Sequence, residues 1–315
     1  MMVAVGSPQL DEQELRLAVL ADATPEIGAG HVMRCAVLAD AWRRASGGRA
    51  TVYGSVRISF VEERLHALGI AVEDFDRYQD DHAILVVDSY SDRVRMRGAR
   101  APARLRVLVD DTGNSIPPSF GIVWNPNAYG SAALYPDFSG VLITGVDAVP
   151  IRDGLGRWNG RGSSTIGLTI GGGTASALIR AVVAELHAAL GSRPLAASRA
   201  LVPTAQMPLD AASMWRQLAA CAAIVCASGS TLWEAAAVGV PVVVVAVAEN
   251  QLSGLAWAKQ QGVPTIDLTQ LNEPRSAARS ILDALALASP LPRLTSGAGR
   301  VADRLARYAL ATRLQ

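Results

Sequence analysis

The stretch Ala21-Asp22-Ala23-Thr24-Pro25-Glu26-Ile27-Gly28-Ala29-Gly30-His31-Val32-Met33-Arg34-Cys35 decides how the chain is read. A largely apolar run, Leu15 to Leu20, leads into it, and a helical pattern through Ala36, Leu38, Ala39 and Trp42 leaves it. The order is strand, glycine-rich loop, helix. The loop then lies at the strand's carboxyl end, where open α/β sheets bind ligands. Gly28 and Gly30 allow a sharp turn and a close approach of backbone to ligand. His31 falls in the first helical turn, over that crevice, and a histidine imidazole titrates near neutral pH. The same spacing also suits a plain strand-to-helix turn with His31 on the surface. Met33 stands where a dinucleotide fingerprint needs its third glycine, and no Gly-Lys-Ser/Thr follows to make a phosphate loop.

The 315 residues suffice for two domains, at about 150 residues each. Half the residues are apolar and 18% are charged, as a well-buried α/β core requires. A net charge of +1, with no basic block and few aromatics, disfavours nucleic acid as a partner. Cys35, Cys221 and Cys226 sit in apolar surroundings without Cys-x-x-Cys spacing and read as buried free thiols in a reducing cytosol. The acidic residues Asp11, Glu12 and Glu14 argue against a signal peptide. The longest apolar run, Val240 to Ala248, contains a proline and is too short to span a membrane. A cytoplasmic protein is expected.

Strands are expected at 15–20, 50–55, 83–88, 105–109, 121–124 and 141–144, with helices at 31–45 and 59–67. They are rich in Val, Ile and Leu with little alternation, as in a parallel sheet covered on both faces. Pro150 through Ser164, with four glycines, reads as a domain junction. Beyond it the pattern expects strands at 165–170, 199–202, 223–227 and 241–247. Helices are expected at 175–190, 212–220, 231–238, 251–261 and 275–288, with a helical closing segment, 294–314. Two Rossmann-like halves with a returning carboxyl-terminal helix suggest an α/β protein of GT-B architecture, its substrate held in the cleft between halves. The expected division is 15–150, 163–288 and a helix in 289–315 that returns to the first half.

In the second half, Ala227-Ser228-Gly229-Ser230-Thr231-Leu232-Trp233-Glu234 follows a buried strand and opens a helix. Backbone amides there, with the hydroxyls of Ser228, Ser230 and Thr231, suit an anionic phosphate. Glu234, one turn in, suits a ribose diol, and Thr231-x-x-Glu234 equally reads as a capping box. Glu249, Asn250 and Gln251 end another apolar strand at the same rim, or form an ordinary N-cap. The turn Gly171-Gly172-Gly173-Thr174 reads as a third crevice wall. In the first half, Asp88 and Tyr90, Asp110 and Asp111, and Asn125 and Asn127 each end a strand at the cleft edge. Asp110 and Asp111 could hold a metal, but no third ligand stands at matching spacing. Asp74-x-Asp76 has the spacing of metal-dependent sugar transferases and is short enough to be accidental. A Ser–His–Asp hydrolase lacks both its Gly-x-Ser-x-Gly elbow and a suitable histidine.

Together these residues resemble a known family. It is the UDP-sugar hydrolase of pseudaminic acid biosynthesis, grouped with spore-coat polysaccharide glycosyltransferase-like proteins. The chain is more distantly similar to MurG-type GT-B transferases. The matching segments run in order from Ala21–Cys35 through Val86–Tyr90, Val109–Asp111 and Asn125–Tyr129 to Ser228–Gln251. The resemblance implies a UDP-sugar between two domains and inverting cleavage of its anomeric C–O bond, without metal or cofactor. His31 matches the family's catalytic histidine, which deprotonates water, and Tyr90 a tyrosine near sugar and leaving phosphate. Ser230, Glu234 and Asn250 fall where the family contacts nucleotide. Gly28, Gly30, Arg34, Asp88, Asn125, Asn127, Gly172, Gly173, Ser228, Gly229, Thr231, Glu249 and Gln251 complete the expected substrate site. The chain departs from the family at Ser89, usually histidine, at Gly172-Gly173-Thr174-Ala175 and at Val149-Pro150-Ile151-Arg152. A GT-B glycosyltransferase with an unknown acceptor is the alternative, because function lies in the acceptor site rather than the scaffold.

Overall fold

The computed structural model describes residues 16–78, 84–113, 116–169, 176–190, 194–196 and 211–311. Strands and helices alternate as β1 (Arg16–Leu20), α1 (Gly30–Ser46), β2 (Arg49–Tyr53), α2 (Ser59–Ala67), β3 (Ala71–Glu73), β4 (Ile84–Val87), α3 (Asp92–Arg100), β5 (Leu105–Val109), β6 (Ile122–Trp124) and β7 (Val141–Ile143). These strands pair in parallel in the order β3-β2-β1-β4-β5-β6-β7. Every residue of β4 is buried, as continuous Val, Ile and Leu requires of a central parallel strand.

The second unit continues with β8 (Ile166–Thr169), α4 (Ala177–Leu190), β9 (Pro194–Ala196), α5 (Ala211–Ala219), β10 (Ala223–Ala227), α6 (Ser230–Val238), β11 (Pro241–Ala246), α7 (Leu252–Gln260), β12 (Thr265–Asp267), α8 (Pro274–Leu285), β13 (Ser289–Pro290) and α9 (Ala298–Ala311). Its sheet runs β12-β11-β10-β8-β9, parallel throughout, with β13 added antiparallel to β11. Among the described residues, no helix is long and apolar enough to cross a membrane.

In both sheets the strand order reverses direction beside the first strand, between β1 and β4 and between β8 and β10. The chain leaves neighbouring strands there toward opposite faces, so a crevice opens at their carboxyl ends. His31 follows β1 and Asp88 follows β4, on the two sides of the first crevice.

The helical pattern expected after the glycine loop is met in α1, whose Ala36, Leu38, Ala39 and Trp42 are buried. Gly47 ends that helix in the left-handed region that glycine adopts without cost. α9 packs on α1 through Val301, Ala302, Leu305 and Ala309, which join the core of the first sheet. Each large apolar side chain buried there contributes about 1.5–3 kcal/mol.

The structure adds β3, α3, β12 and β13 to the expected elements. In α3 the sequence Asp-Arg-Val-Arg-Met-Arg-Gly-Ala-Arg offers almost no apolar face, and Gly98 alone is buried. Contact with β4 rather than periodicity holds it there, since a Cβ on Gly98 would lie 2.4 Å from Val87. The strand expected at 199–202 lies outside the described residues, and β9 pairs with β8 instead.

Gly54 follows β2 and lies against Ala21, where the glycine loop leaves β1. A Cβ there would lie 2.1 Å from the carbonyl oxygen of Ala21, a backbone atom that cannot swing aside. Gly54→Ala is expected to cost roughly 2–3 kcal/mol in urea denaturation. A variant as stable as wild type would show that the loop is not packed this tightly.

Candidate active site

The loop after β1 is more ordered than its glycines suggest. Ala23 bridges to Val56, and Thr24 bridges to Gly28, whose N–H donates to the Thr24 carbonyl at 2.7 Å. Gly28 has φ of 86°, a conformation that favours glycine. The loop therefore closes into a tight lip, and α1 begins at Gly30.

Residues 31, 34 and 35 share one face of α1, as positions three and four apart must. All three side chains reach Asp88. His31 Nδ1 lies 2.6 Å from Asp88 Oδ1, Arg34 Nε donates to Oδ2 at 2.6 Å, and the Cys35 thiol donates to Oδ2 at 3.3 Å. A second Arg34 nitrogen donates to Oδ1, also at 2.6 Å. An ionised carboxylate only accepts, so His31 donates its Nδ1 proton and leaves Nε2 as the basic nitrogen. The Arg34 nitrogen 3.3 Å from Nδ1 is then a neighbour and not its donor.

The network extends to Asp111. It accepts from Arg34 at 3.1 and 3.2 Å, from the Tyr90 hydroxyl at 2.6 Å and from Asn127 Nδ2 at 3.0 Å. Tyr90 packs edge-on against His31, with ring centroids 4.7 Å apart, and the Asn250 side chain of the second unit stands near its hydroxyl. Burial pulls the Asp88 pKa upward, yet Arg34 and His31 outweigh it and hold the carboxyl well below the usual range. Burial and the Asp111 carboxylate push the Tyr90 phenol above its ordinary value, so it stays protonated. Burial and Asp88 likewise keep Cys35 a thiol.

Gly28, Gly30, His31, Arg34, Asp88, Tyr90 and Asn127 thus gather at one sheet edge. Asn125 serves them from below: it is fully buried, donates to Tyr135 and accepts from both nitrogens of Asn127. Asp110 and Asp111 part company, because Asp110 turns to Arg95 and to the amides of Thr112 and Gly113. Asp76 lies on the surface, paired with Arg97.

In the second unit α6 begins at Ser230 with Gly229 as N-cap and no side-chain cap. The capping box read from Thr231 and Glu234 is therefore not formed. Glu234 is buried and holds the Arg152 guanidinium through one oxygen and the Trp215 indole, at 2.7 Å, through the other. Ser228 donates to the Gln251 carbonyl at 2.6 Å, and the Gln251 side chain accepts from Val247 N at 2.9 Å, so these two shape the rim. Ser230, Glu249 and Asn250 are exposed and Thr231 is half-buried. Gly172 and Gly173 lie outside the described residues.

Trp215 and Trp233 carry no signal in the pattern of residues, Arg152 stands there only in a segment that departs from the resembled family, and Asp111 only as a cleft-edge acid that could hold a metal. Asp111 carried one signal: it follows a buried strand as Asp88 does. Only the strand order makes β4 and β5 neighbours and brings the two acids to one arginine.

No protein-family model matches the chain. No curated protein matches it in sequence. Solved structures match along nearly the whole chain. The spinosyn rhamnosyltransferase SpnG, complexed with spinosyn aglycone, is 16% identical with a TM-score of 0.55 and covers 95% of this chain and 97% of its own. S. aureus MnaA with UDP is 12% identical, with a TM-score of 0.61 and coverages of 93% and 96%. UDP-GlcNAc 2-epimerase from Neisseria meningitidis, bound to UDP-GlcNAc, is 10% identical, with a TM-score of 0.60 and coverages of 94% and 100%. The fold is GT-B. At these identities the likeness is one of fold.

Asp88→Asn is expected to lose about 3 kcal/mol at pH 7, since it removes the charge that Arg34 was buried against. A carboxyl depressed in the folded state stabilises fully above its unfolded pKa, about 3.9, and loses that contribution as pH falls toward its folded value. The gap between wild type and variant in urea titrations should therefore close below about pH 4. A gap constant from pH 7 to 2.5 contradicts an ionised Asp88.

Proposed function

We propose that the protein cleaves the anomeric C–O bond of a nucleotide sugar with inversion, releasing a nucleoside diphosphate and the free sugar. The observation that carries this is the 2.6 Å contact between His31 Nδ1 and Asp88, which leaves Nε2 to take a proton. In this reading Nε2 accepts a proton from water as the water oxygen bonds to the anomeric carbon. The bond from that carbon to the phosphate oxygen breaks, and its electron pair leaves with the diphosphate. Asp88 stabilises the imidazolium formed on His31, the arrangement familiar from other histidine bases. The amides that open α6, at Ser230 and Thr231, meet the departing negative charge. Tyr90, protonated and held by Asp111, keeps its ring packed against the base.

Residues 15–150 with a helix from 289–315 form the sugar side of this reading, and 163–288 the nucleotide side. UDP and thymidine diphosphate, found on structures of the same fold, give the first nucleotides to try. The resemblance to the pseudaminic acid hydrolase family supports water as the acceptor.

One observation favours transfer to an acceptor larger than water. Ile27 on the lip is 52% exposed and Leu252 beyond Asn250 is 36% exposed, so apolar side chains stand in solvent beside the site. An acceptor with an apolar face would cover them.

The test is purified protein with UDP- and TDP-sugars, without acceptor, followed by mass spectrometry and NMR. Wild type should release free sugar of inverted anomeric configuration, and His31→Ala should lose about 10²–10⁴-fold in rate. Turnover unchanged in His31→Ala removes it as the base. Saturable binding without turnover supports the transferase instead.

A further inference from the structure

The hydrogen-bonded network does not stop at Asp111. Asn127 Nδ2 donates to Asp111 Oδ1 at 3.0 Å and to Asn125 Oδ1 at 3.0 Å, while Asn127 Oδ1 accepts from Trp233 Nε1 at 3.3 Å. The orientation of this amide is fixed by its partners: two carbonyl-type oxygens demand the NH2 side, and an indole N–H demands the oxygen. Asn127 is 9% exposed and Trp233 is 2% exposed. Trp233 lies on α6, three residues after Ser230. A buried line of hydrogen bonds therefore runs from His31 through Asp88, Arg34, Asp111 and Asn127 to the second sheet's α6.

A second grip on the same helix comes from the junction. Arg152 pairs with Glu234, the residue after Trp233. The Trp233 ring is held between Tyr129 and Trp257, at centroid distances of 6.1 and 5.0 Å. Apolar packing alone tolerates sliding, whereas a directed hydrogen bond between buried groups fixes distance and angle.

We infer that Asn127 and Trp233 are positioning residues: their hydrogen bond sets the start of α6 at a fixed distance from the His31 base. This rests on the reading above, in which α6 faces the diphosphate and His31 faces the anomeric carbon. The bond acts through Asp111 and Arg34, and neither residue touches the reacting atoms. A small misplacement of two catalytic parts lowers turnover while each part keeps its own affinity.

Trp233→Phe keeps an aromatic ring and removes the N–H, and Asn127→Ala removes the acceptor together with the amide's bonds to Asp111 and Asn125. Each variant, and the pair, is compared with wild type in steady-state kinetics on the UDP-sugar that wild type uses. The His31 imidazole 1H–15N signal, assigned by its loss in His31→Ala, is recorded in parallel without ligand. In Trp233→Phe, kcat should fall about tenfold with KM within twofold, and the His31 signal should move. The double variant should lose little beyond the worse single one, as expected when two residues share one interaction. A folded Trp233→Phe with an unmoved His31 signal, or losses that multiply in the double variant, overturns the inference. If Trp233→Phe does not fold, Trp233→benzothienylalanine, which keeps the shape of the ring system and lacks the N–H, carries the same test. Should wild type turn over no nucleotide sugar, the proposed function falls, and the His31 signal alone decides the positioning role.

Discussion

The Asp88 carboxylate is buried at the carboxyl end of β4, and three side chains from one face of α1 converge on it. Burying a lone carboxylate costs several kcal/mol. Here the cost is offset by a bidentate arginine, a histidine N–H and a thiol. Because Arg34 also spans to Asp111, the two acids and one guanidinium form a single unit with an excess of one negative charge. A proton arriving on His31 brings that unit to neutrality. The geometry of His31, the protonated state of Tyr90 and the orientation of Asn127 all follow from this buried charge.

Its location follows from topology. β1 and β4 are neighbours, and the chain leaves them toward opposite faces, so the helix after β1 and the loop after β4 flank one crevice. Asp111 after β5 and Asn127 after β6 continue the same edge. In the second sheet the equivalent edge carries Ser228 and the start of α6. Trp233 brings this edge to the first through its hydrogen bond to Asn127.

Much of this was legible in the residues. The glycine loop, the first-turn histidine and the strand-ending acids depend on local pattern, which apolar runs and turn residues reveal directly. Strand β5 and helix α2 fall on the expected bounds for the same reason. The partners were not legible. Nothing in the sequence around Asp111 says that β5 lies beside β4, and nothing around Arg152 says that it meets Glu234. Glu234 shows the limit well: its spacing from Thr231 suits a capping box, yet long-range partners take both carboxylate oxygens. α3 was hidden because packing against β4 holds it, whereas five of its nine residues are charged.

The most direct test of the account is the tautomer of His31, read from 15N chemical shifts of histidine-labelled protein near pH 7. Wild type should carry the proton on Nδ1 and leave Nε2 bare, with that preference lost in Asp88→Asn. A proton resident on Nε2 in the neutral ring would contradict the account, because Nε2 would then have no lone pair with which to act as the proposed base.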